Sequence, residues 1–263
     1  MTAQKLRLKK LLRFLFPILV LLILWELLVD FRILNPKLLP SPSNVAVTMY
    51  QLSIPNFLLI IYLLRSLYRL AIGYGIGIAI GIPLGILMGT SKHLYKLVSP
   101  VLSMLISIPT IAWVPLFLII IGIGDETIIL TIFLGCFFCI VYNTMHGVRS
   151  VNKELIWAAK MTGASRATIF AKVILPGALV SIITGLRLAI GYSWRALVGA
   201  EMLASITGGI GFMIYAARAT FATNIMFTGL FIIALGGLLI DRFILGTVEK
   251  KTIEKWGMVR RIE

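Results

Sequence analysis

Apolar runs long enough to cross a lipid bilayer recur along this sequence, and they constrain its fold more than any other feature. A transmembrane helix needs about 20 mostly apolar residues, and its backbone groups must be hydrogen-bonded within the segment because lipid offers no partners. Of the 263 residues, 59% are hydrophobic and 13% are charged, which is too little polar surface to cover a soluble domain. The sequence therefore predicts an all-α membrane protein.

Six of these runs qualify as spans. The predicted spans cover residues 14–29, 67–88, 98–121, 128–145, 177–203 and 225–245. A basic start followed by the first run resembles a signal peptide, but no small-residue cleavage site follows it, so we expect a retained first span.

The positive charges are distributed unevenly between the connecting segments. Most of the 25 lysines and arginines lie in segments 5–13, 92–96, 149–172 and 242–261, whereas the opposite connections hold Arg32, Lys37 and Arg218. Lys and Arg remain on the cytoplasmic side of membrane proteins. We therefore expect both termini in the cytoplasm, and we interpret the net charge of +15 as a topological signal rather than a nucleic-acid surface.

The second span carries glycines at a spacing of four, at Gly73, Gly77, Gly81 and Gly85. Such a ridge lets another helix approach backbone to backbone. The partner is either a helix of the same subunit or a sliding surface at a gate or subunit interface, and the spacing is compatible with both.

Three prolines interrupt the third span, at positions 100, 109 and 115. Proline removes a helical hydrogen bond, and freed carbonyls are tolerated in a membrane only where protein or water satisfies them. We expect an irregular helix that faces the interior.

The connection between the fourth and fifth spans, residues 147–176, mixes apolar and basic residues. We expect a helix over 153–161 that ends at Gly163, where glycine permits a sharp turn. A second short helix, 166–172, is expected to lead to Leu175 and Pro176, where proline opens the fifth span. This amphipathic loop either packs on a partner protein or lies on the membrane surface.

The spacing within this loop resembles the signature of permeases in ATP-binding-cassette importers. Ala158 and Ala159 are followed by three residues, Gly163, nine residues, Val173, one residue, and then Leu175 and Pro176. The family usually has glutamate where Trp157 stands and isoleucine where Val173 stands. By this resemblance the ATPase-coupling residues are Trp157, Ala158, Ala159, Gly163, Ala164, Leu175 and Pro176.

Weaker matches extend over almost the whole chain. Segments 39–42, 66–69, 108–109, 115–116, 122–126, 185–187, 193–194, 200–202 and 209–212 look like the branch that imports nitrate, sulfonates, taurine and bicarbonate. The resemblance implies a type I importer permease fold in the bacterial inner membrane, with coupling loop 147–176. It suggests three parts: 1–60 with the first span, a core at 61–246, and a basic tail at 247–263.

The resemblance also implies partners. It suggests a second permease copy, two ATPase subunits that bind ATP and Mg, and a periplasmic or lipid-anchored solute-binding protein. The sequence contains no Gly-x4-Gly-Lys-Ser/Thr phosphate-binding loop, so we expect no ATP hydrolysis and no cofactor in this chain.

Charged residues inside the spans are candidates for the solute path, because charge is costly in lipid. Arg187, Arg195 and Glu201 belong to the fifth span, and they either line the path or form structural pairs. We expect three charges near the outer face to snorkel to the interface, namely Glu26, Arg65 and Arg69.

No pattern in the sequence indicates a catalytic or metal site. Cys136 and Cys139 lie one helical turn apart in an apolar run, and we interpret them as buried small residues. Competing hypotheses are a secondary carrier or channel that works without ATP, and a membrane enzyme acting on lipid. The identity of the solute stays open, as does the choice between a homodimer and a heterodimer of permeases.

Overall fold

The computed structural model describes the backbone of residues 3–240 and the side chains of residues 16–240, and all regular structure in that part of the chain is helical. The helices are α1 (Ala3–Asp30), α2 (Pro42–Ser53), α3 (Leu58–Thr90), α4 (Lys92–Ile106), α5 (Val114–Ile120), α6 (Asp125–Ser150), α7 (Lys153–Met161), α8 (Arg166–Ile169), α9 (Leu175–Ala204), α10 (Ile210–Ala219) and α11 (Thr223–Leu239). A 3₁₀ turn, Thr110–Trp113, precedes α5, and a π-helical turn, Phe170–Ile174, joins α8 to α9.

Helix α6 is the centre of the fold and lies between α3 and α9. Its side chains Ile128, Ile132 and Ile140 are fully buried, as is Leu197 on α9. Lipid is as apolar as these side chains, so close packing rather than the hydrophobic effect holds such helices together.

The glycines of α3 form the contact with α6. The pairs are Gly73 with Ile132, Gly77 with Cys136, Gly81 with Ile140, Gly85 with Thr144, and Gly89 with Val148. The offset between partners is the same in every pair, so α3 and α6 run parallel in one register. A Cβ atom added at Gly85 would lie 2.6 Å from the Cβ of Thr144 and 2.8 Å from the carbonyl oxygen of Val141. The backbone of α3 is therefore in direct contact with α6, within a single chain.

Helix α9 packs against α6 in the opposite direction. Gly147 of α6 faces Ser181, and Gly135 of α6 faces Ala196, so residue numbers rise on one helix as they fall on the other. This arrangement gives the bundle two ends. We call the end that carries residues 151–174 the loop end, and the end where α9 finishes the far end.

The third apolar run is broken, as its prolines predict. Helix α4 and the segment Thr110–Ile120 meet at an angle of 91°, so the irregular helix expected over 98–121 is a bent pair of helices. Pro109 has no N–H to continue the helix. The N–H groups of Ser107 and Ile108 bond instead to the carbonyls three residues earlier, at 3.3 and 3.2 Å, which tightens and ends α4.

Three described helices are long and apolar enough to cross a membrane, or four when the bent pair counts as one crossing. Helix α10 was not predicted, because ten residues are too short for a span and the segment lacks a polar face. The last residues of the predicted sixth span and the basic tail at 247–263 fall within 241–263, outside the described residues.

Replacing Gly85 with alanine tests the packing of α3 on α6. We expect Gly85→Ala to lower the free energy of unfolding by about 1–3 kcal/mol, because the methyl group overpacks a contact with backbone atoms. Thermal unfolding of the detergent-solubilised protein measures the effect.

Gly75→Ala is the matched control, since a Cβ at Gly75 meets nothing within 4 Å and alanine has the higher helix propensity. Equal unfolding temperatures for the two variants would contradict the packing contact.

Candidate functional site

The loop between α6 and α9 begins with the short helix α7. The side-chain oxygen of Asn152 accepts a hydrogen bond from the N–H of Glu154 at 2.9 Å, which caps the helix. Leu155, Trp157 and Met161 are 59%, 59% and 89% exposed. An apolar surface of this kind on a loop marks a site of interaction.

A left-handed glycine ends α7. Gly163 has φ +77° and nothing within 4 Å of an added Cβ, so the constraint there is conformational rather than steric. Its N–H bonds to the carbonyl of Lys160 at 3.0 Å, and the N–H of Ala164 bonds to the carbonyl of Ala159 at 3.1 Å. These bonds satisfy the free carbonyls at the helix end, and the chain turns sharply at the predicted position.

Beyond the turn, α8, the π-helical turn and α9 form one helix of 39 residues, Arg166–Ala204. Leu175 and Pro176 lie in the first turn of α9, as predicted, but the expected break between the short helix and the fifth span is wrong. Proline lacks an N–H, and the widened turn accommodates it: the N–H of Leu175 bonds to the carbonyl of Phe170, five residues back. The second half of the loop, from Arg166 onward, is thus continuous with the fifth span.

At the far end, Arg69 and Glu201 form a buried ion pair. The Arg69 Nη1 and Glu201 Oε1 atoms are 2.7 Å apart, and both side chains are fully buried. A buried pair is stable only when further hydrogen bonds satisfy both groups. The prediction that Arg69 snorkels to the interface is therefore wrong.

Arg69 uses its remaining donors on four further groups. Nη2 donates to Asp125 Oδ1 and to Thr207 Oγ1, each at 2.8 Å, and to Ser205 Oγ at 3.3 Å, and Nη1 donates to the carbonyl of Gly208 at 2.7 Å. Asp125 is 41% exposed. The guanidinium fork thus links α3 to the start of α6 and to the segment before α10.

Glu201 is held from two other sides. Ser66 Oγ donates to its carboxylate at 2.8 Å, and the N–H of Gly211 donates to Oε2 at 2.9 Å. Gly209, with φ +133°, passes so close that an added Cβ would contact the carboxylate of Glu201. We call Ser66, Arg69, Asp125, Glu201 and segment 205–211 the ion-pair cluster.

The other two charges that were expected to snorkel, Glu26 and Arg65, differ in their exposure and contacts. Glu26 is half-buried and accepts hydrogen bonds from the N–H and the hydroxyl of Ser43, at 3.0 and 2.6 Å, so it attaches α1 to the first turn of α2. Arg65 is exposed.

Arg187 and Arg195 lie apart from Glu201. They border a cavity of about 280 Å³ between α9 and α11. Arg187 is half-buried, and Arg195 is exposed with its guanidinium 5.0 Å from the ring centre of Tyr192. The structure does not bring the three predicted interior charges together.

The sequence of this chain matches a known family. Residues 81–249 match the model of the binding-protein-dependent transport system inner membrane component, which covers more than half of the chain. The chain belongs to this family.

Two relatives are permeases whose names state what they transport. This permease is 35% identical over 226 residues to the taurine transport system permease protein of Escherichia coli (strain K12), covering 84% of this chain and 82% of that protein. It is also 35% identical over 233 residues to the nitrate import permease protein of a Synechocystis strain, covering 86% and 83%.

A solved structure shares the fold. The permease aligns with a chain of the inward-facing MetNI methionine ABC transporter at a TM-score of 0.65, with 22% identity over 75% of this chain and 97% of that chain. The permease therefore has the type I importer fold. It is a transport subunit of an ATP-driven importer rather than an enzyme, and it lies in the inner membrane as a multi-pass protein. The carrier and lipid-enzyme hypotheses are set aside.

The sequence alone does not predict the ion-pair cluster, although its residues belong to motifs described above. The fold brings together at one site four of those motifs, which are segments 66–69, 122–126, 200–202 and 209–212. A signal was available, since arginine and glutamate in apolar runs need partners.

Loss of Arg69 tests the structural role of the cluster in the permease. We expect Arg69→Ala to destabilise the protein by about 3–5 kcal/mol, because Glu201 would remain buried and unpaired. The yield of folded protein in gel filtration and its unfolding temperature measure the effect.

Arg65→Ala, one turn earlier on α3 and exposed, is the control that removes the same charge. Equal yields in gel filtration and equal unfolding temperatures for the two variants would show that the cluster contributes no stability.

Proposed function

We propose that this permease crosses the inner membrane six times with both termini in the cytoplasm, forms half of a solute path, and couples that path to separate ATPase subunits. The single observation that carries the proposal is the exposed apolar face of α7, which is joined through Gly163 to one helix reaching the far end. The six crossings are α1, α3, the bent pair α4–α5, α6, α9 and α11.

The charge distribution supports this orientation. Lys92, Lys96, Arg149, Lys153, Lys160, Arg166 and Lys172 all lie at the loop end. Positive charge stays in the cytoplasm, so the loop end faces the cytoplasm and the ion-pair cluster faces outward. The proposed division of the chain is 1–60, a core at 61–246, and a tail at 247–263.

The exposed face of α7 suits a groove on an ATPase. Amphipathic helices bind grooves through apolar anchors on one face, and Trp157 and Met161, which are four residues apart and exposed, supply such anchors. ATP and Mg would bind in that partner, because this chain has no phosphate-binding loop. A soluble or lipid-anchored binding protein would deliver the solute at the far end.

A second copy of the permease would cover α9. Thr184, Leu188, Tyr192 and Arg195 are exposed and recur along one face of this helix. A helix with threonine, tyrosine and arginine on one stripe is poorly suited to face lipid. Two copies meeting along these stripes would enclose a path between them, with Arg195 beside it.

The proposed cargo is a small solute that carries an oxoanion group. The taurine and nitrate permeases described above act on such solutes by name, and each aligns with more than four fifths of this chain. A sulfonate, nitrate or bicarbonate fits this class.

Purification of the tagged permease from its native membranes tests the coupling proposal. We expect a stoichiometric ATPase subunit to co-purify, and Gly163→Val to abolish its binding because a β-branched residue resists a positive φ. Gly163→Asn is the matched control, since asparagine tolerates the left-handed conformation.

Met161→Asp tests the contact itself without changing the turn. Its side chain is 89% exposed, so the permease should fold normally and lose the ATPase. Retention of the ATPase by both Gly163→Val and Met161→Asp would contradict docking through α7.

A further inference from the structure

A second cavity, of about 480 Å³, lies between the break after α4 and the facing surfaces of α6 and α9. It is separate from both the loop at the loop end and the ion-pair cluster. Its walls include Pro109 and Thr110 at the break, Cys139 and Asn143 on α6, and Tyr192 on α9. The α6 and α9 residues lie near the middle of their helices, so the cavity is at the middle of the membrane.

The break in the backbone after α4 indicates that the cavity beside it holds water or a polar solute. Backbone groups that leave the helical pattern have no partners in lipid, and irregular backbone at membrane depth is found where it lines a cavity or is buried in protein. Secondary transporters build their solute sites from discontinuous helices of this kind. The chain turns by 91° beside this cavity, and Ile108 and Pro109 form part of its wall.

The polar groups in the wall are neutral. They are the hydroxyls of Thr110, Tyr142 and Tyr192, the thiol of Cys139 and the amide of Asn143. The Tyr142 hydroxyl is hydrogen-bonded to Ser103, and Asn143 donates one amide hydrogen to the carbonyl of Cys139 at 2.8 Å. Among the described residues that line the cavity, none is Asp, Glu, Lys or Arg.

We propose that this cavity is the mid-membrane transit site for the solute, which it contacts through hydroxyl donors to an oxoanion group. This inference rests on the proposed function. A transit site must bind well enough to admit the solute and weakly enough to release it. Neutral donors in the wall meet both needs, whereas a carboxylate there would repel the anion.

The cavity opens toward the surface that the second copy would cover. Leu188 and Tyr192 in its wall are 48% and 50% exposed, and both belong to the exposed stripe of α9. In a dimer joined along this stripe, the cavities of the two copies would open onto the shared path.

The two native cysteines provide a direct test. Cys139 lines the cavity, whereas Cys136 is fully buried against Gly77. Variants with one cysteine, Cys136→Ala and Cys139→Ala, are treated in the intact complex with water-soluble methanethiosulfonate reagents that carry either a sulfonate or a quaternary ammonium group. We expect Cys139 to react at least about tenfold faster than Cys136, because a buried thiol reacts only after local opening.

The charge preference of the labelling gives the solute class. Each rate is divided by the rate of the same reagent with free 2-mercaptoethanol. We expect this normalised rate at Cys139 to be higher for the sulfonate reagent than for the ammonium reagent. Equal labelling of both cysteines, labelling of Cys139 only by an apolar maleimide, or preference for the ammonium reagent would overturn the proposal.

Transport by hydroxyl-deletion variants separates this inference from the function on which it rests. We expect Tyr192→Phe to lower sulfonate or nitrate uptake by the reconstituted complex by about tenfold, the effect of losing one hydrogen bond to a charged group, with the ATPase subunit still bound. Tyr50→Phe is the control, on an exposed site of α2 remote from the cavity.

The outcomes distinguish two failures. If the wild-type complex takes up solute but Tyr192→Phe behaves like Tyr50→Phe and Cys139 is inert, the transit site is wrong and the permease function stands. If the wild-type chain binds no ATPase and takes up no oxoanion, the proposed function fails and the transit site with it.

Discussion

The buried contact between Arg69 and Glu201 is the interaction on which the far end of this permease depends. Two opposite charges leave water together, and each is stable there only because Ser66, Asp125 and the backbone of segment 205–211 complete their hydrogen bonds. Four separate segments of the chain must therefore be in place at once. The contact specifies how α3, α6, α9 and α10 meet, which apolar surfaces alone would leave poorly determined.

The glycine contacts extend the same constraint along the membrane. Five glycines of α3 meet five residues of α6 in one register, and α9 crosses α6 in the opposite direction. A sliding movement of α3 on α6 would push each glycine position against a side chain and also break the pairing of Arg69. The three helices consequently behave as one body. An opening that admits solute must then occur at the outer surface of this body, such as the exposed stripe of α9.

Sequence reasoning predicted what depends on local pattern. The length of the apolar runs located α6 and α9 to within a few residues, and Gly163 marked the turn because a left-handed residue has a local signature. The partners of Arg69 had no such signature, since Asp125 and Glu201 are distant in sequence and only the fold brings them near. The continuity of α8 with α9 was missed for a different reason: proline usually marks a boundary, and a π-helical turn removes it.

The continuous helix Arg166–Ala204 can transmit a movement from the loop end to the far end of the bundle. At 1.5 Å per residue, its 39 residues span about 58 Å, with the turn at Gly163 beside one end and Glu201 close to the other. A tilt of about 10° at the loop would displace the opposite end by about 10 Å if the helix moved rigidly. Glu201 is bonded to α3 and α10, and through Arg69 and Asp125 it is linked to α6, so that displacement cannot be absorbed by α9 alone. A rigid movement of this helix at the loop end would therefore rotate the whole subunit.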